Sequence, residues 1–100
     1  MDNIKIIRLL TGEELIGEIG INDMDLITIK DAAVVQMIPL QNGNVTVTLM
    51  PFAPYSDDET FTLNPQHVTM SYKPATELLN KYNSIYGSGI QIASAGSIIQ

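Results

Sequence analysis

Apolar and polar residues alternate with a period of two through much of the chain before Pro74, which is the pattern of strands with one buried face. The alternation is clearest in residues 14–21 and 45–50. Turn residues or prolines separate the apolar runs, and proline cannot donate to a central ladder. The pattern therefore predicts strands at residues 3–10, 14–21, 26–38, 45–50, 61–63 and 68–72.

Glycine positions predict where these strands turn or bend. Gly12 and Gly43 stand in tight turns, where glycine tolerates a positive φ. Gly17 and Gly20 lie inside the second strand, where glycine marks a bulge or a bend of the kind that small barrels need at their corners. A further kink is predicted in the third strand near Asp31.

The period changes after Pro74, a residue that suits the first turn of a helix. Apolar residues then recur every three or four positions until Gly87, a typical stop signal, so the sequence predicts one helix at residues 74–86. The uncharged tail at residues 88–100 is predicted to be loose or to add a strand to another chain. The chain thus divides into a domain at residues 1–87 and a tail at residues 88–100. The helical apolar positions are Ala75, Leu78, Leu79, Tyr82, Ile85 and Tyr86.

The 100 residues are enough for one domain with a modest core. Apolar residues make up 45% and charged residues 16%, which favours a packed core over a disordered chain. Strands dominate, their connections are short, and only one helix is predicted. We therefore predict a mainly β protein, built as a small, strongly bent antiparallel sheet or open barrel with one C-terminal helix.

Charge and cysteine content restrict the function. With 11 acidic and 5 basic residues the formal net charge is -6, which argues against a strong nonspecific clamp on a phosphate backbone. The absence of cysteine excludes disulfides, thiolate metal sites and cysteine nucleophiles. The N-terminus lacks a signal-peptide pattern, and no apolar run approaches the roughly 20 residues that span a bilayer. We expect a cytoplasmic protein without a membrane partner.

Residues 9–19 resemble the first motif of the Sm and Sm-like proteins. That motif places an apolar residue three positions before a turn glycine, followed by an apolar residue, a second glycine and another apolar residue at fixed offsets. Leu9, Gly12, Leu15, Gly17 and Ile19 all fit these positions.

Two later segments resemble the same family. Asp23-Met24-Asp25 with the strand after it is similar to the family's next loop but shorter, and residues 63–70 are similar to its second motif. Asn64 and Pro65 replace the arginine and glycine of that motif, and the helix follows the sheet instead of opening it. Residues 12–18 and 50–59, with the closing tyrosine helix, also resemble small proteins of marine cyanophages, for which the location would be the host cytoplasm.

The Sm-like resemblance implies a five-stranded, bent sheet whose edge strands pair between copies into a homo-oligomeric ring of about five to seven subunits. In the family, single-stranded RNA binds at the inner rim of the ring through the two motif loops. The resemblance therefore implies binding of single-stranded RNA or DNA and a role in its processing. The implied rim residues are Asp23, Met24, Asp25, Asn64, Pro65 and Gln66.

Other interpretations stay open. The two loops could equally be ordinary turns, and the protein could instead be a phage assembly or scaffold module that binds other proteins. His67 is the only histidine and has no evident catalytic or metal-binding partners, so a structural position is favoured. Residues 57–59 are acidic and could hold calcium weakly, but a solvated loop is favoured. The sequence thus predicts no enzyme, no catalytic or metal-binding residues and no cofactor. Tyr72, Tyr82 and Tyr86 are expected to pack in the core or an interface.

Overall fold

The strands form where the apolar alternation predicts them. The protein is described by a computed structural model that covers residues 3–86. The helix begins slightly later than predicted, and the predicted stop at Gly87 and the tail at residues 88–100 lie outside the described residues. The elements are β1 (Ile4–Leu9), β2 (Glu14–Ile21), β3 (Ile27–Pro39), β4 (Val45–Pro51), β5 (Thr60–Leu63), a 3-10 turn (Pro65–His67), β6 (Val68–Tyr72) and α1 (Thr76–Tyr86).

The strands form one antiparallel sheet in the order β4-β3-β2-β1-β6, with β5 also paired to β3. β5 pairs with residues 27–30 of β3, and β4 pairs with residues 33–39 of the same strand. The five strand positions that the resemblance implies are therefore present, and β4 and β5 share one of them. The proline-containing loop at residues 52–59 separates these two strands. The sheet is strongly bent but not closed, which confirms the predicted open-barrel class.

The bends occur at the predicted positions. The register of β2 against β3 shifts between Ile16 and Glu18, which places a bulge at Gly17. β3 changes direction at Asp31, whose φ is +54°. Gly12 and Gly43 have φ values of +94° and +88°, as tight turns require. These irregularities let short strands curl around a small core.

Neighbouring residues at the centre of the sheet are buried on opposite faces. Ile6 and Ile7 are 3% and 1% exposed although they point to opposite sides of β1. We call the two faces the barrel side and the helix side. The barrel side holds Ile7, Leu15, Ile29 and Ala32 with Phe52 and Phe61, whereas the helix side holds Ile6, Ile16 and Ala33 beneath Tyr82 of α1.

The helix covers the helix side through its apolar stripe. Tyr82 is 3% exposed, and Leu78 and Tyr86 are half-buried beside it. The Tyr82 hydroxyl donates a hydrogen bond to the carbonyl oxygen of Asp31 at 2.8 Å, at the bend in β3. This burial confirms the expectation that Tyr72, Tyr82 and Tyr86 serve packing, since Tyr72 also borders the same core.

Candidate nucleic-acid interface

Asn22 organises the turn between β2 and β3. Its Oδ1 accepts hydrogen bonds from the backbone N–H groups of Met24 at 2.9 Å and Leu26 at 3.0 Å. Its carbonyl oxygen accepts from the N–H of Asp25, whose φ is +61°. With the backbone fixed in this way, Met24 projects outward and is 76% exposed. The sequence interpretation did not assign Asn22 a role, although asparagine at the start of a polar turn is the usual signal for this geometry.

Asn64 organises the connection between β5 and β6. Its Oδ1 accepts from the N–H of Gln66 at 2.9 Å, and its carbonyl oxygen accepts from the N–H of His67 at 2.9 Å. Pro65 occupies the first position of the 3-10 turn, where its missing N–H leaves no donor unsatisfied. The carbonyl oxygen of His67 then accepts from Leu10 at 2.8 Å, which joins the end of the turn to the end of β1.

The strand register brings the two loops to the same end of β3. Ile27 pairs with Leu63, so Asn64 leaves β5 beside the point where Leu26 enters β3. All six predicted rim residues lie in these loops, and five of them are exposed or lie at the turn surface together with the exposed Pro65. The fold thus places the two groups side by side, while their contact with nucleic acid stays a prediction. The residues are Asp23, Met24 and Asp25 in the first loop and Asn64, Pro65 and Gln66 in the second.

The paired loops are acidic. They contain Asp23 and Asp25, and neither residues 22–26 nor residues 64–67 include lysine or arginine. Arg8 is committed elsewhere, because its Nη2 lies 3.0 Å from Glu14 Oε2. This surface therefore offers a thioether and side-chain amides to a base but no cation to a phosphate.

Arg8 and Glu14 belong to a polar group on the helix side. The Tyr72 hydroxyl donates to Glu14 Oε2 at 2.8 Å, and Arg8 donates to the same oxygen. Burial and the hydrogen bond to Glu14 raise the pKa of Tyr72 above its ordinary value. The group ties β1, β2 and β6 together. Within residues 3–86, no three histidine, aspartate or glutamate side chains are arranged to hold a metal ion.

Asp31 lines a cleft of about 310 Å³ between the loop at residues 52–59 and the end of α1. Burial raises the pKa of its carboxyl group above the ordinary value, and Glu59 raises it further. Lys30 acts in the opposite direction, and Glu18 adds a smaller repulsion. The carboxylate of Asp31 is therefore in an unfavourable environment when charged.

Replacing Asp31 with asparagine is expected to stabilise the fold by roughly 0.5 kcal/mol at neutral pH, because it removes this charge and keeps a residue that tolerates positive φ. The raised pKa means that the folded state holds the proton more tightly than the unfolded chain. The wild-type side chain therefore stabilises the fold below pH 3.8, and this contribution is lost as the pH rises through the raised pKa. Urea unfolding from about pH 3 to pH 8 should show a weaker pH dependence for Asp31→Asn. Asp57→Asn, which removes an exposed carboxylate from the adjacent loop, is the matched control, and equal changes in both variants would contradict the assignment.

One comparison with known proteins bears on this fold. A family model described as the Sm_like domain matches residues 6–83, which include both loops, all of β2 to β6 and most of α1. No curated protein shows significant similarity to the chain. In the described part of the chain, no helix is long and apolar enough to cross a membrane.

Proposed function

We propose, because the chain belongs to the Sm-like family, that its copies assemble into a homo-oligomeric ring whose rim binds single-stranded nucleic acid weakly and assists RNA or DNA processing. The observation that carries the proposal is the meeting of the two motif loops at one end of β3 beside a sheet with two unpaired edges. A ring of about five to seven copies would repeat the paired loops around one opening. The cytoplasmic location and the cyanophage origin stay predictions.

The two edges have outward backbone groups that suit pairing between copies. Phe52 donates to the carbonyl oxygen of Ala32, so the alternation of an antiparallel pair directs the N–H and C=O groups of Val47 and Leu49 away from β3. On β6 the same alternation directs those of Ser71 away from β1. Such edges invite pairing with another strand, and a ring leaves none of them unpaired.

The acidic rim determines how a nucleic acid would be held. Met24 could lie against a base, and the amides of Asn64 and Gln66 could contact base edges. Asp23 and Asp25 would repel phosphates, so binding would depend mainly on the bases. We therefore expect low affinity and little dependence on salt.

Fluorescence titration with oligo-U and oligo-A across a salt series should show wild-type dissociation constants on the order of tens of micromolar, with a shallow salt dependence. Replacing Asp23 with lysine is expected to tighten binding by about tenfold and to steepen the salt dependence by about one unit per added phosphate contact. The reason is that an exposed negative charge at the rim becomes a phosphate contact.

Asp57→Lys is the matched control for this experiment. It makes the same charge change in the loop before β5, whereas the rim lies at the other end of that strand. If both variants tighten binding equally, the effect comes from net charge and the rim is wrongly placed. If neither the wild type nor Asp23→Lys binds at any salt concentration, nucleic-acid binding is refuted.

The acidic rim also favours a second function, that of an assembly or scaffold module whose ring contacts proteins. A rim without lysine or arginine suits a protein partner better than a phosphate backbone. Capture of partners from lysate with and without nuclease separates the two. Partners that persist after nuclease treatment favour the scaffold, and partners that are lost favour the nucleic-acid ring.

A further inference from the structure

The outer parts of β3 and β4 form a two-stranded arm. The pairing of β2 with β3 ends at Leu15 and Val34, so residues 35–39 of β3 pair only with residues 45–49 of β4. We call residues 35–49 the arm. Two strands without a third are marginally stable in water, so their apolar residues need a covering surface.

One side of the arm is apolar and uncovered at its outer end. Val35 and Leu49 pair on the helix side and pack against the core there, and the alternation puts the pairs Met37–Val47 and Pro39–Val45 on the same side. Met37 is 71% exposed and Val45 is 59% exposed. We call Met37, Val45 and Val47 the arm strip.

The arm lies in the one long uncharged part of the described chain. All 16 charged residues of the sequence fall outside residues 32–56. Each copy carries a net charge of -6, so two copies repel each other unless they meet through uncharged surface. This favours a second copy of the chain as the partner of the arm strip.

The unpaired strand at the other edge of the sheet offers a matching surface. Residues 68–72 of β6 are also uncharged. Met70 lies on the helix side, because it is two residues from Tyr72, which borders the helix-side core, and it is 44% exposed. If β4 of one copy pairs with β6 of the next, the helix sides of both strands face the same way in the joined sheet.

We infer that the arm strip is a contact surface for the neighbouring copy, where it packs against β6 around Met70. This inference rests on the proposed ring and names the apolar contact that would hold it. The backbone pairing of two edges is general, whereas the arm strip would determine which edges meet and how strongly.

The test compares two neighbouring residues on opposite sides of the arm. Met37→Lys places a charge in the arm strip, and Gln36→Lys places the same charge on the exposed opposite side. Light scattering over a concentration series should show that Met37→Lys raises the concentration for half-assembly by at least about tenfold, while Gln36→Lys changes it by less than about threefold.

The outcomes separate this inference from the ring itself. A wild type that assembles, with both variants assembling equally well, overturns the role of the arm strip and leaves the ring intact. A wild type that stays a single chain at every concentration overturns the ring and the contact together. Because Met37 is already mostly exposed, we expect the unfolding curve of dilute Met37→Lys to match that of the wild type.

A second variant guards against local damage to the arm. Val45→Thr keeps the β propensity and the shape of the side chain, so assembly should weaken in the same direction but to a smaller extent. No weakening in Val45→Thr and Met37→Lys alike would overturn the inference.

The chain's own residues 87–100 are the competing occupant of the arm strip. A chain ending at Tyr86 tests them by hydrogen exchange at Val45 and Val47 under dilute conditions. Unchanged exchange supports the second copy, and faster exchange after truncation would show that the chain's own tail covers the strip.

Discussion

Replacing Gly17 with alanine is expected to destabilise the fold by about 2–4 kcal/mol. A Cβ atom at this position would lie 2.6 Å from Cγ1 of Ile29 and 2.9 Å from the carbonyl oxygen of Lys30. Ile29 is fully buried, so it cannot move aside without disturbing the barrel-side core. The backbone contact also requires β2 and β3 to separate at the bulge. Urea unfolding followed by circular dichroism measures the loss.

Gly20→Ala is the matched control, because Gly20 lies in the same strand. A Cβ atom there would meet only Oγ1 of Thr28 at 3.0 Å, and that side chain can rotate. We expect a loss below about 1 kcal/mol, since alanine also restricts the unfolded chain. Similar losses in both variants would show that glycine content, and not the close approach to Ile29, determines stability.

Replacing Tyr82 with alanine is expected to cost about 3–5 kcal/mol, since it removes the largest buried side chain between α1 and the sheet. Tyr82→Phe should cost about 1–2 kcal/mol, because it deletes only the hydroxyl that donates to the carbonyl of Asp31. The two variants therefore separate packing from the hydrogen bond. Both are measured by urea unfolding at one pH.

Ile85→Ala in the same helix is the control for loss of apolar surface in α1. Ile85 is 54% exposed, so we expect a loss under about 1 kcal/mol. If Tyr82→Ala and Ile85→Ala have equal effects, the helix does not cover the core as the structure describes. If Tyr82→Phe is as damaging as Tyr82→Ala, the hydrogen bond and not the packing holds the helix.

Local features of the fold could be predicted from sequence because each depends on a few adjacent residues. The strands follow the alternation, the turns follow Gly12 and Gly43, and the bulge follows Gly17. The kink at Asp31 was also predicted from its position in a long strand. The apolar run of β1 does not alternate, which agrees with burial on both faces.

Features that depend on distant residues were harder to predict. Nothing local to β4 or β5 indicates that both pair with β3, because that choice depends on how far the loop at residues 52–59 reaches. Met37 and Val45 have the pattern of core residues, yet the arm carries them beyond the sheet. The six rim residues were located by resemblance, and only the register of β5 against β3 shows why their loops meet.

The pairing of β1 with β6 joins strands from near opposite ends of the described chain. Closing such a long stretch of polypeptide costs more entropy than forming a hairpin, so we expect this contact to form late in folding. Until it forms, β6 has no fixed neighbour and presents no ordered edge. A nascent chain would then be unable to recruit other copies, and oligomerisation would be delayed until the subunit is complete.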